Sequence, residues 1–161
     1  MDDLIAAADY LKSLPYVDEN RIYLVGHSTG GTLALLTAAA TDKFNTVFSF
    51  ALVGRISDYG NEAFTFNPSQ EEINMRSPIL WLDDIKSKTF VIEGSEGNSI
   101  WLKEIQNESK NENIQFIEIS GADHFTYLHS VCDLISKKVS ESLSGEIEIT
   151  EQEIQAAYER E

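Results

Sequence analysis

The sequence predicts an α/β domain: a parallel sheet of about four strands with flanking helices. Two observations carry that expectation. Short, nearly continuous apolar runs alternate with longer segments of helical period, giving a helix and then strand–helix four times over; strands apolar along their whole length argue for a parallel sheet covered on both faces. The chain has 161 residues, 42% hydrophobic and 24% charged, which suits one soluble domain with one core. Right-handed crossovers then leave few topologies.

Taken in order, residues 4–14 repeat apolar positions at helical spacing and stop at Pro15. Residues 21–25 are a short β-rich run ending at Gly26. Residues 33–40 are apolar on nearly every side, as a buried helix is. Residues 47–53 form a second apolar run. Residues 55–84 have no clean period and contain the breakers Asn67-Pro68 and Ser77-Pro78. Residues 88–93 and 114–119 are the third and fourth strand candidates, followed by helical stretches at 99–110 and 127–139. The domain is placed at 1–143, with 57–85 as a cap-like insertion, because a connection this long tends to be functional. Residues 144–161 form an acidic tail. Within it Thr150-Glu151-Gln152-Glu153 matches a capping box, so 154–160 is expected as a short helix, marginal unless docked.

Twelve basic against twenty-seven acidic residues give a net charge of −15, which opposes nucleic acid and anionic membranes. A single cysteine, Cys132, forms no internal disulfide and no cysteine-based metal site; three scattered histidines give no ligand spacing, so neither metal nor cofactor is expected. Met1-Asp2-Asp3 is not the start of a signal peptide, and no apolar run is long enough to span a bilayer, so a cytoplasmic location is expected.

Gly26-His27-Ser28-Thr29-Gly30-Gly31 contains G-x-S-x-G between a predicted strand and a predicted helix. A serine at such a turn holds strained backbone angles, and small residues two positions either side let the turn close. The hydroxyl of Ser28 is lifted from the carboxyl edge of the sheet, and the Thr29 amide can donate to an oxyanion. No lysine of a phosphate-binding loop follows. A serine needs a base. His27 adjoins Ser28, where packing or a place in a substrate pocket is expected; His129 lies inside the closing helix; His124 sits in a loop after a strand, the usual place for functional groups.

Tyr16-Val17-Asp18-Glu19-Asn20-Arg21-Ile22 leading into the Ser28 turn, Arg76-Ser77-Pro78 before the third strand and Gly121-Ala122-Asp123-His124-Phe125 after the fourth resemble, in order and spacing, the α/β-hydrolase fold in its prolyl-oligopeptidase-like branch, over residues 2–140. The resemblance implies an incomplete α/β-hydrolase fold and a serine hydrolase acting on ester or peptide bonds through an acyl-enzyme. It implies Ser28 as nucleophile, His124 as base and Thr29 in the oxyanion hole. The family's acid usually follows the third of these strands as G-x-x-D, but that position falls on Gly97 in Glu93-Gly94-Ser95-Glu96-Gly97-Asn98. Glu96 is the first choice, Glu93 the second and Asp58 the third. Phe64 and Phe66, with His27, are candidates for the substrate pocket; Trp81 and Trp101 are better read as core aromatics.

Full α/β-hydrolases of this kind carry further strands ahead of the nucleophile strand, one of whose loops gives a second oxyanion amide. The chain is therefore expected to be part of a longer protein or a shortened domain, with its first strand at a sheet edge covered by a second copy or a partner. Small esters or short peptides are the expected substrates. The rival reading is a non-catalytic hydrolase-fold module acting through dimerisation or ligand binding.

Overall fold

The structure, a computed structural model, describes residues 1–60 and 64–160. The elements run α1 (Asp2–Lys12), β1 (Tyr23–His27), α2 (Thr29–Ala40), β2 (Thr46–Phe50), α3 (Gln70–Met75), β3 (Lys88–Gly94), α4 (Ser99–Glu108), β4 (Ile114–Ile119), α5 (Leu128–Glu141) and α6 (Glu151–Tyr158). Among the described residues four strands pair in sequence order, β1-β2-β3-β4, all parallel. The inner strands read as they do because both faces are covered: every residue of β2 is buried, and six of the seven in β3.

Each face of the sheet has its own core. Leu24, Val47 and Val91 pack against Leu35 and Ala38 of α2 and Leu102 and Ile105 of α4. Phe48, Phe50, Phe90 and Ile92 point the other way, toward Val131 and Ile135 of α5. The stretch expected as a cap divides in two. Ile79, Leu82 and Ile85, on short 3₁₀ turns at Pro78–Leu80 and Leu82–Asp84, are buried in the first core. The segment from the 3₁₀ turn Ile56–Tyr59 through α3 lies nearer the surface. Residues 61–63 of the expected cap lie outside the described residues.

Three boundaries differ from the sequence expectation, for physical reasons. β1 continues two residues further, because Gly26 pairs with Ser49 and His27 with Phe50. α2 starts at Thr29 rather than 33, its two glycines included. β2 ends at Phe50 because Ala51 takes φ 53°, a left-handed conformation no strand accommodates.

The acidic tail is part of the folded body. Ile147 and Ile149, alternating with exposed Glu146 and Glu148, and Ile154 of α6 join the core on the α5 face. Thr150 and Glu153 make both bonds of the capping box, and Lys138 of α5 ion-pairs with Glu153. β1 and β4 are the two edges of the described sheet, and Val25 of β1, on the face away from α2, is 51% exposed. No helix among the described residues is long and apolar enough to cross a membrane.

Because Ile154 is fully buried, Ile154→Ala is expected to cost ~2–5 kcal/mol in urea unfolding. A tail merely resting on the surface would leave the midpoint unchanged.

Candidate active site

The ends of all four strands converge at the carboxyl edge of the sheet, where parallel α/β folds place their sites. Ser28, between β1 and α2, has φ 57° and ψ −121°. A serine there carries strain of about 1–3 kcal/mol. Its amide donates to the Phe50 carbonyl at 2.9 Å, which ties the turn to the end of β2. A Cβ on Gly26 would stand 2.1 Å from the Gly30 carbonyl oxygen, and one on Gly31 would stand 2.3 Å from that of Phe50. A Cβ on Gly30 would meet nothing within 4 Å. The second close approach therefore falls on Gly31, not on the Gly30 that G-x-S-x-G picks out. Thr29 opens α2, where the first amides of a helix have no intrahelical acceptor.

The loop after β4 brings His124 to this turn. The His27 and His124 rings lie 4.8 Å apart, and His27 Nε2–H donates to the His124 carbonyl at 2.9 Å. Phe125, 64% exposed, stands edge-on to His124 at 4.7 Å and 5.2 Å from His27. The loop is shaped by Asp123, whose Oδ1 accepts from the amides of Phe125 and Thr126 at 2.7 and 2.9 Å. Those bonds lower the Asp123 pKa. Burial first, and then the neighbouring His27, hold the His124 imidazole below the ordinary histidine value, while Asp123 pulls the other way.

The carboxylate that faces His124 belongs to Glu93, the second choice, and not to Glu96. Glu93 Oε2 lies 3.8 Å from His124 Nδ1 and makes no hydrogen bond among the described residues. Oε1 accepts from the Gly94 amide at 2.7 Å. Burial pushes the Glu93 carboxyl up, against the amides of Gly94 and Asn98. Glu96 is exposed and touches the His124 loop only through its backbone, donating to the Ala122 carbonyl at 2.9 Å. Asp58, half-buried on its 3₁₀ turn, has Arg55 and Glu104 as its charged neighbours; burial first, then Glu104, raises its pKa. The position of the family's aspartate explains the exchange. A Cβ on Gly97 would stand 2.6 Å from Glu93 Oε1 and 3.0 Å from the His124 amide, so the Glu93 carboxylate fills the space that a side chain at 97 would need.

Sequence reasoning missed Asn98. Its amide nitrogen lies 3.2 Å from His124 Nδ1 and 3.5 Å from the Ala51 carbonyl, at the second strained residue of the site. Nothing in its local sequence, an amide opening a helix, points to an imidazole 26 residues away.

Phe64 and Phe66, their rings 5.0 Å apart and tilted by 35°, lie beside Thr29 and, with Leu33, Leu36, Ile56 and Tyr59, line an open cleft of about 290 Å³. Arg76 stands over the Phe66 ring at 4.3 Å, held by Glu72 at 2.9 Å. Tyr59 is fixed by Thr32, hydroxyl to hydroxyl, at 3.0 Å. His27, grouped with these phenylalanines from sequence, packs on the His124 loop instead, because its ring proton is taken up by that loop's carbonyl. Trp81 is 38% exposed and its indole donates to the Asn74 carbonyl, away from the cleft. His129 is exposed on α5, 4.0 Å from Asp133. Among the described residues, no group of three His, Cys, Asp or Glu could hold a metal ion.

A serine on a strained strand-to-helix turn, with a histidine loop and a buried carboxylate beside it on a parallel sheet, defines the α/β-hydrolase class. Comparison with known proteins makes the assignment more specific. The model of the prolyl oligopeptidase family matches residues 1–131, and the chain belongs to that family. No curated protein sequence matches. Among solved structures, an acylaminoacyl peptidase from Pyrococcus horikoshii superposes with a TM-score of 0.70 at 14% identity, over 95% of this chain and 29% of its own. Dipeptidyl peptidase 4 from Porphyromonas gingivalis gives 0.67 at 23% identity, over 86% and 22%. An acetyl xylan esterase from Paenibacillus sp. R4 gives 0.66 at 18%, over 88% and 51%. The family and these neighbours are hydrolases, peptidases and esterases alike. The chain spans between about a fifth and a half of the structures it matches.

Gly31→Ala is expected to destabilise the domain by ~1–3 kcal/mol, because the Cβ meets backbone rather than a movable side chain. Gly30→Ala is expected to be neutral, or stabilising by up to about 1 kcal/mol, since alanine is the better helix former. Thermal unfolding of the two variants checks both signs.

Proposed function

We propose that the chain is the nucleophile-and-base portion of a serine hydrolase acting on small esters or short peptides. One observation carries the reading: Ser28 is held at φ 57° directly after His27, whose ring packs on that of His124. Ser28 Oγ attacks the acyl carbon while its proton passes to His124 Nε2. The Thr29 amide stabilises the oxyanion. The leaving group departs with the proton from Nε2, and water repeats the sequence to release the acid. The working tautomer carries the other imidazole proton on Nδ1, facing Glu93 Oε2, which orients the ring and stabilises the imidazolium. The cleft beside Thr29 supports an apolar group on the substrate, and its volume, at the lower limit of ordinary ligand pockets, supports a small one.

The non-catalytic alternative draws on the same corner. At 3.8 Å the Glu93–His124 pair is outside hydrogen-bond range, with the Asn98 amide nitrogen nearer to Nδ1.

Labelling with a fluorophosphonate probe separates the two. Modification is expected at Ser28, lost in Ser28→Ala and in His124→Ala. Glu93→Gln is expected to slow it by roughly 10²–10⁴-fold, and Glu96→Gln to leave it unchanged. The labelling rate should climb as pH rises and His124 loses its proton, with a midpoint below 6.5, because burial favours the neutral ring. Silence of the folded wild-type chain would favour the non-catalytic module.

A further inference from the structure

We infer that Gln155 and Tyr158 of α6 are positioning residues that hold the His124 loop in register with Glu93. Both belong to the segment beyond the part of the chain that the family model matches. They are three residues apart on a helix and so share a face. The Gln155 side-chain amide reads both backbone groups of Ser120: Oε1 accepts from the Ser120 N–H at 2.9 Å, and Nε2 donates to the Ser120 carbonyl at 3.3 Å. The Tyr158 hydroxyl donates to the Gly121 carbonyl at 2.9 Å. Ser120 and Gly121 open the loop that ends in Asp123 and His124, and Gly121 turns it with φ 78°.

The other side of this loop is held by the chain that carries the carboxylate. Ser95 Oγ accepts from the Gly121 amide at 2.9 Å, the Ser95 amide donates to the Ile119 carbonyl at 2.9 Å, and the Glu96 amide donates to the Ala122 carbonyl at 2.9 Å. The loop is thus gripped between the end of β3 and α6. The side toward β3 has no slack, since a Cβ on Gly94 would stand 2.2 Å from the Ala122 carbonyl oxygen. The three bonds from α6 fix the opposite side. α6 is in turn seated by Ile154 and Ala157, by its own capping box and by the ion pair of Glu153 with Lys138 of α5. Small displacements matter at such a site, because a misplacement of about 1 Å can cost 10²-fold in rate. The groups that set the charge around the ring are Glu93, His27 and Asp123, none of them on α6.

The catalytic meaning of this grip rests on the serine hydrolase reading; its mechanical content does not, and the test uses three measurements on the whole chain. Gln155→Leu with Tyr158→Phe removes the three bonds and keeps the bulk of the helix face. In hydrogen exchange, the Glu96 amide, bonded across the loop to Ala122 and touched by neither substitution, is expected to exchange about tenfold faster or more, as local opening becomes easier. Amides of β2 should be unchanged, which also reports that the variant folds. The fluorophosphonate rate at Ser28 should fall about tenfold, and the His124 imidazole, followed by NMR, should titrate nearer to the ordinary histidine value. Restoring Gln155 alone should recover part of all three. Unchanged exchange at Glu96 with an unchanged His124 titration overturns the inference. Wild-type chain that never labels overturns the hydrolase reading instead, and leaves the exchange result to decide the role of α6.

Discussion

The site depends on one close approach. The backbone of Gly31 lies so near the Phe50 carbonyl that no side chain fits between them, and the amide of Ser28 bonds the same oxygen. That contact folds the first turn of α2 back over the end of β2. It forces Ser28 into a left-handed conformation, and it sets His27 where its ring meets His124. Strain at the serine is tolerated because the buried body of α2, packed on the sheet by Leu35 and Ala38, over-determines the turn.

The carboxylate illustrates how a position can be filled from a different place in the chain. Gly97 leaves a void beside the histidine amide, and Glu93, one residue before the end of β3, reaches into it. A strand residue normally points into the core, which is why Glu93 is buried and its proton more tightly held than a surface glutamate's. Its second oxygen then faces the imidazole with no other partner among the described residues. The glycine and the glutamate are one device: a side chain at 97 would evict the carboxylate.

The free edge at β1 is the counterpart of this well-tied corner. Its outer hydrogen-bonding groups have no strand beside them in the described sheet, and Val25 is uncovered on the face that α5 and α6 leave bare. On the α5 face the tail turns back after α5, buries Ile147, Ile149 and Ile154, and reaches the His124 loop through Gln155 and Tyr158.

Local chemistry was enough to read much of this. Apolar runs and periods gave the strands, the helices and their alternation, because a parallel sheet covered on both faces writes itself as unbroken hydrophobic stretches. The turn around Ser28 was marked by its glycines, which a strained turn needs, and the loop of His124 by its place after a strand and by the resemblance to the family. What lay beyond the sequence was every choice among like groups that depends on distance across the sheet. Glu93 rather than Glu96 faces the histidine, Gly31 rather than Gly30 makes the close contact, Asn98 sits at Nδ1, and an acidic tail becomes a docked helix. Those outcomes are settled by which carbonyls and side chains the strand register brings within a few ångströms, and no local pattern carries that information.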